Sequence, residues 1–185
     1  VIDPTNFTNF NRTYFELEEM WLFSCAVAGK TAKTQARLLD AMLEKMPGRT
    51  PFAKIHNAVT TGTLLQFLKD SGLGQYNRLE RCYRESLSLD LANDPVEKFE
   101  AIFGVGPKTA RMFLMHSRPD QQFAALDTHI LKHMRAKGID APKSTPPSGP
   151  TYRRLEGEFL KMAKRARKSP ADFDLMLWRR YAEAA

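Results

Sequence analysis

The chain has 185 residues with 43% hydrophobic content, enough for one ordinary globular domain or two small lobes around shared apolar material. Lys plus Arg outnumber Asp plus Glu by 28 to 21, and the net charge of +7 favours a polyanionic partner. The two cysteines, Cys25 and Cys82, lie far apart and in no closely spaced pair, which argues against a zinc site or disulfide framework and for a reducing compartment. The longest nearly apolar stretch, Met20 to Ala28, is too short to span a bilayer, and no basic-then-apolar leader opens the sequence.

Almost every segment reads as helix. Tyr14 to Ala28 is strongly apolar, with Glu16, Glu18 and Glu19 early, where acids suit the helix dipole. In Thr31 to Met46, residues Ala32, Ala36, Leu39, Leu43 and Met46 recur at helical intervals until Pro47-Gly48 stops them. A shorter helix around Leu64, Leu65, Phe67 and Leu68 breaks at Ser71-Gly72-Leu73-Gly74, and Leu79, Cys82, Tyr83 and Ser86 resume the spacing. Asp94-Pro95-Val96-Glu97 is a helix start, with a capping acid, a proline in the first turn and a glutamate three residues on. Ala141 to Pro150 holds four prolines, two serines and a glycine and reads as a loop or linker. Beyond it Tyr152, Leu155, Phe159, Met162, Ala163 and Ala166 share one helical face, opposite Arg153, Arg154, Lys161, Lys164, Arg165 and Lys168. Ser169-Pro170-Ala171-Asp172 caps a last helix carrying Phe173, Leu177, Trp178 and Tyr181. With no alternating strand pattern, repeat or low-complexity tract, the expected fold is all-α.

Between the apolar runs Phe99–Phe103 and Ala110–Leu114 stands Gly104-Val105-Gly106-Pro107-Lys108-Thr109, which reads as helix, tight hairpin, helix over residues 95–116. Glycines permit backbone angles and close approaches that a Cβ would block, and Pro107 suits the first position of the second helix. That helix would begin with unpaired N–H groups suited to gripping a phosphate. Nineteen positions after Lys108 comes Leu126-Asp127-Thr128-His129.

Together these two segments resemble the helix-hairpin-helix DNA glycosylase superfamily, the endonuclease III and 8-oxoguanine DNA glycosylase group. Its hairpin reads apolar-x-Gly-Val-Gly-x-Lys-Thr-Ala and is followed at this spacing by Val/Leu-Asp-x-His. The resemblance covers residues 13–138 and extends more weakly over the C-terminal helices. It implies a two-lobed helical fold with DNA bound in a cleft between the lobes. Those lobes are expected over residues 1–30 with 141–185, and over 31–140.

The resemblance also implies a chemistry. A glycosylase must extrude the nucleotide to reach C1′. Lys108 would be the nucleophile, as in the bifunctional members that excise a base and then nick the strand, and Asp127 would be its acidic partner. The alternatives are an abasic-site lyase with little glycosylase activity, or a non-catalytic hairpin in which Lys108 merely touches phosphate and Asp127 only caps a helix. Gly104, Val105, Gly106, Thr109, Arg111, His129 and Lys132 are expected on the DNA-binding side, with His129 orienting its loop and Arg135 as a further phosphate contact. Leu73, Gln75 and Tyr76 match the family's wedge loop, with a simple Gly-rich helix connection and Tyr76 packed inward as the alternative, and Phe173 and Trp178 could line a base pocket, with core packing as the alternative. Ala26 stands where the family carries a glutamine that probes the opposite strand, and Lys30 or Gln35 could substitute. No iron–sulfur cluster is expected, since the family's C-terminal cysteines are missing, and no metal site; a monovalent cation on the hairpin carbonyls is allowed. The expected partner is double-stranded DNA with a damaged, modified or abasic nucleotide, with no membrane, bound by an intracellular monomer.

Overall fold

A computed structural model describes residues 2–182 of the chain, and every regular element among them is a helix. The helices are α1 (Tyr14–Ala26), α2 (Ala32–Lys45), α3 (Pro51–Thr60), α4 (Leu64–Ser71), α5 (Tyr76–Ser86), α6 (Val96–Glu100), α7 (Pro107–Ser117), α8 (Thr128–Ala136), α9 (Pro150–Arg165) and α10 (Pro170–Ala182). They group into two compact units, one of residues 2–6 and 11–105 and the other of residues 7–10 and 106–182.

In the first unit α1 is the central element, buried continuously from Leu17 to Ala26 and packed by α2, α3 and α5. A capping box between Thr13 and Glu16 starts it, so two orphan N–H and hydroxyl groups are satisfied where the sequence placed early acids. Its buried polar groups are all spent on neighbours. Trp21 Nε1 donates to Ser86 Oγ at 2.8 Å, the Tyr83 hydroxyl donates to Leu22 O at 3.0 Å, and Glu18 accepts the Phe52 N–H at 2.9 Å. Glu18 thereby caps α3, which the sequence reading passed over although Thr50-Pro51 is a good start signal. Cys25 and Cys82, distant in sequence, are buried neighbours whose thiols hydrogen-bond to each other, and burial pushes the Cys25 thiol well up. Asp94 does not cap α6, whose N-cap is Pro95; its carboxylate instead takes the Asp90 N–H and the Lys98 ammonium, both at 2.8 Å.

In the second unit α8, α9 and α10 enclose a core of Leu126, Ile130, Leu131, Met134, Leu155, Phe159 and Leu177, with α7 packed on α10. Residues 7–10 join the C-terminal end of α7. Asn9 N–H donates to His116 O at 3.1 Å, and Phe7 packs edge-on against the His116 ring. Ser169 caps α10 by accepting the Asp172 N–H at 3.1 Å, as read from the sequence.

The division of the chain differs from the lobes expected from the sequence. Residues 141–149 form a largely exposed loop, the first of the two readings of this segment, between α8 and α9, which bury their apolar faces in one core. The boundary falls instead in the hairpin, between Val105 and Gly106.

Gly104 has φ +75°, and a Cβ there would come within 2.7 Å of Arg78 Cγ. Arg78 cannot withdraw cheaply, since its guanidinium donates to Gly104 O at 3.0 Å and to Cys25 O at 2.8 Å. Gly104→Ala therefore combines left-handed strain with loss of this fit. A destabilisation of about 1–3 kcal/mol is expected, read as a lowered midpoint in urea unfolding with unchanged slope; an unaltered midpoint would refute it.

Candidate active site

The second unit assembles the candidate site on the N-terminus of α7 and the loop that leads into α8. Pro107 occupies the first turn of α7, so no N–H is lost there, and Gly106 is its extended N-cap. Thr109 and Ala110 N–H groups fold back onto Gly106 O at 3.1 and 3.2 Å. The N–H groups of Gly106 and Lys108 find no intramolecular acceptor among the described residues, which leaves two donors at the positive end of a helix.

Lys108 is half-buried. Among the described residues the one hydrogen-bond partner of its Nζ is the Met112 thioether at 3.5 Å, one turn along the same helix. A thioether is a weak acceptor, so the amine is steadied without an ion pair. Asp127, also half-buried, is the N-cap of α8: Oδ1 accepts the Ile130 N–H at 2.8 Å, while Oδ2 receives no hydrogen bond among the described residues. Burial raises the Asp127 carboxyl above its ordinary range; the Ile130 N–H opposes the shift, the negative charge of Asp174 adds to it, and Lys108 and His129 oppose it. Lys108 and Asp127 thus lie within electrostatic reach of each other.

Asp174 was not read from the sequence. It lies on α10, and its Oδ2 sits 3.2 Å from His116 Nε2, whose other ring nitrogen is 2.7 Å from the Thr8 hydroxyl. A carboxylate forty-seven positions from Asp127 carries no local signal of that proximity.

Other expected site residues divide by burial. Gly104 and Gly106 are exposed, whereas Val105 is buried and anchors the hairpin, and the Thr109 side chain is buried too. Arg111, expected to touch phosphate, is 7% exposed; Nε donates to Glu156 at 2.8 Å and the guanidinium lies over the Tyr152 ring. It is an internal residue because position 111 faces inward one turn after Lys108. Lys132 is exposed on α8, its Nζ 5.5 Å from the Tyr181 ring centre, and His129 stacks on Tyr181 at 5.9 Å.

Of the wedge candidates, Leu73 is 1% exposed and belongs to the core, as the Gly-rich turn points it inward. Gln75 is exposed at φ +51°, but its amide is engaged: Nε2 donates to Ala28 O at 3.3 Å and Oε1 accepts from Arg78. Tyr76 is half-buried at the start of α5. Phe173 packs on Phe159 inside the core and cannot line an open pocket, whereas Trp178 is half-buried. Ala26 and Gln35 are buried, and Lys30 is exposed with Nζ beside Gly74. Among the described residues no three His, Cys, Asp or Glu side chains are placed to hold a metal ion, and no helix is long and apolar enough to cross a membrane.

The helical architecture has counterparts among solved structures. The 8-oxoguanine glycosylase/lyase of Methanocaldococcus jannaschii, in complex with a 15-mer DNA containing 8-oxoguanine, superposes with a TM-score of 0.68 at 20% identity, over 94% of this chain and 84% of that one. The 8-oxoguanine DNA glycosylase of the same organism gives 0.67 at 22% identity, over 95% and 83%. That of Thermotoga maritima gives 0.65 at 22%, over 90% and 79%. The fold is therefore that of the helical 8-oxoguanine DNA glycosylases. No protein-family model and no curated protein matches the chain.

The raised carboxyl of Asp127 has a consequence for stability. An acid whose folded pKa lies above its unfolded value contributes stability at low pH and loses it as pH rises through the folded pKa, so ionised Asp127 costs stability at neutral pH. Asp127→Asn keeps an N-cap oxygen and removes that charge. At pH 7 it should raise the thermal midpoint, and the advantage should shrink on acidification toward the ordinary carboxylate range. A variant that melts below wild type at pH 7 would contradict this.

Proposed function

We propose that this protein is a DNA glycosylase with abasic-site lyase activity, acting on DNA that carries an oxidised guanine, with Lys108 as nucleophile and Asp127 as acidic partner. The observation that carries the reading is Lys108 itself. A lysine amine that has no ion pair among the described residues stands in the first turn of a hairpin-fed helix, within the electrostatic reach of a half-buried carboxylate. The three superposing proteins, all 8-oxoguanine glycosylases, supply the choice of base.

The chemistry follows from those groups. With the nucleotide extruded, the neutral amine of Lys108 attacks C1′ with its lone pair, and the C1′–N bond breaks as its electrons leave with the base, which takes up a proton. The lysine nitrogen of the adduct gives up a proton, its lone pair then forms the C1′=N bond as the C1′–O4′ bond breaks, and O4′ takes up a proton, leaving a protonated Schiff base on the opened sugar. Loss of a C2′ proton then drives elimination of the 3′ phosphate, cutting the strand, and water hydrolyses the Schiff base to release the lysine. Oδ2 of Asp127, spared by the N-cap, faces this sequence as an anion that stabilises positive charge on the sugar and as a proton carrier. Its raised carboxyl suits proton exchange better than an ordinary aspartate would.

The unpaired N–H groups of Gly106 and Lys108 fit a backbone phosphate of the DNA, and exposed Lys132 fits another. The Gly104 carbonyl is already taken by Arg78, so a monovalent cation on the hairpin would rely on the remaining carbonyls, and no step above needs one. Gln75 and Tyr76 stay as wedge candidates in this reading, Gln75 by exchanging its contacts with Ala28 and Arg78 for the DNA gap.

Borohydride trapping on a duplex with a single abasic site tests the nucleophile. Wild-type protein should form a covalent adduct that Lys108→Gln loses completely while keeping its affinity for the duplex. A panel of lesion duplexes then tests the base, with 8-oxoguanine cleaved fastest. An adduct retained by Lys108→Gln would remove Lys108 from its role, and cleavage of abasic DNA alone would leave a lyase without glycosylase activity.

A further inference from the structure

We propose that Arg111, Tyr152 and Glu156 are positioning residues that hold the helix bearing Lys108 and the loop bearing Asp127 at one fixed separation. The inference rests on the reading of Lys108 and Asp127 as the reacting pair.

The connection is continuous in hydrogen bonds. From α7, Arg111 Nη1 reaches back to Pro107 O, adjacent to Lys108, at 3.4 Å, while Nε donates to Glu156 Oε2 at 2.8 Å. The same Oε2 accepts the Ala124 N–H at 2.9 Å. One turn earlier on α9, the Tyr152 hydroxyl donates to Ala124 O at 2.6 Å and accepts the Leu126 N–H at 3.2 Å. Leu126 precedes Asp127, and its carbonyl accepts the Thr145 hydroxyl at 2.7 Å. Four backbone groups of the irregular segment before Asp127 are thus each matched by a side chain, and the other end of the chain of contacts is the first turn of α7.

Burial makes these contacts hard to exchange for water. Tyr152 is fully buried, the side chains of Arg111 and Glu156 are 9% and 13% exposed, and the guanidinium lies 4.7 Å from the Tyr152 ring centre and 5.5 Å from that of Phe123. Burying an ion pair gains little stability over packed apolar side chains, because desolvation offsets the attraction. What the pair does supply is direction. An Arg–carboxylate contact constrains distance and angle as an apolar contact does not. Arg111 and Glu156 stand where such a constraint sets the spacing of two reacting groups from different segments, and displacements of an ångström there cost rate rather than folding.

The test uses the full chain and a duplex with a single abasic site, comparing wild type, Tyr152→Phe and Glu156→Gln at a temperature where circular dichroism shows each fully folded. The expected result is a single-turnover trapping rate lowered roughly ten- to hundred-fold, with duplex affinity held within about two-fold. The pH profile of that rate should also shift in both variants, since moving Asp127 changes its surroundings, a readout that mere loss of stability leaves alone. Folded variants with wild-type rate and pH profile overturn the proposal, and so does a loss of affinity that matches the loss of rate. If Glu156→Gln fails to fold, Tyr152→Phe, which deletes one oxygen, decides by itself. Absence of any adduct with wild type strikes the Lys108 reading itself, an outcome distinct from variants that trap as fast as wild type.

Discussion

Backbone groups removed from water must find partners, and in this protein that requirement is most severe in the segment between α7 and α8. Ala124, Ala125 and Leu126 are buried but belong to no helix, so no ladder of i to i−4 bonds serves them. The partners of Ala124 and Leu126 are side chains of α9 and of the loop before it, Tyr152, Glu156 and Thr145, while Ala125 O accepts the Asp127 N–H at 2.6 Å. The inner face of α9 is consequently mixed. Leu155 and Phe159 fill the core beside α8 and α10, while the polar ends of Tyr152 and Glu156 support the loop. The position of Asp127 follows from this, since the loop delivers it to the start of α8, where the Ile130 N–H captures one of its oxygens.

Local signals in the sequence were read correctly for local reasons. Gly104, Gly106, Pro107 and Asp127 announce themselves because each meets a need of its own few residues: a left-handed turn, an extended N-cap, a helix start, a cap. The same holds for the boundaries of α1, α2, α9 and α10. Residues whose role depends on distant partners were misjudged or missed. Arg111 reads as a surface cation beside a DNA grip, and only Glu156, forty-five positions on, makes it internal. Leu73 shares a motif with exposed Gln75 but has the opposite orientation. Phe173 sits at a helical spacing equally consistent with core and pocket, and Phe159 decides for core. Residues 141–150 have a composition that fits a loop or a linker, and the shared core of α8 and α9 decides for a loop, because composition reports backbone freedom and not which apolar faces meet.

The charges around Asp127 show a division of labour within one side chain. One oxygen is spent on holding α8, a structural contact that helix termini commonly demand. The other is left available, in surroundings where burial and Asp174 work against ionisation while Lys108 and His129 support it. Asp174 is itself held by His116, which Thr8 holds in turn, so its orientation does not depend on the loop. A site built this way stores unfavourable electrostatics that the surrounding core can tolerate.

Lys108 is placed by a complementary principle. Among the described residues no ionic partner lies at hydrogen-bond distance from its amine. Met112 gives it contact without charge, and the helix fixes the spacing between the two residues, since positions four apart share a face. Asp127, the carboxylate within its electrostatic reach, comes from another segment, whose backbone is tied to α7 by the buried contacts of Arg111, Glu156 and Tyr152. Lys108 and Asp127 are therefore joined through one buried network that runs from the first turn of α7 by way of Arg111, Glu156 and Tyr152 to the segment before α8.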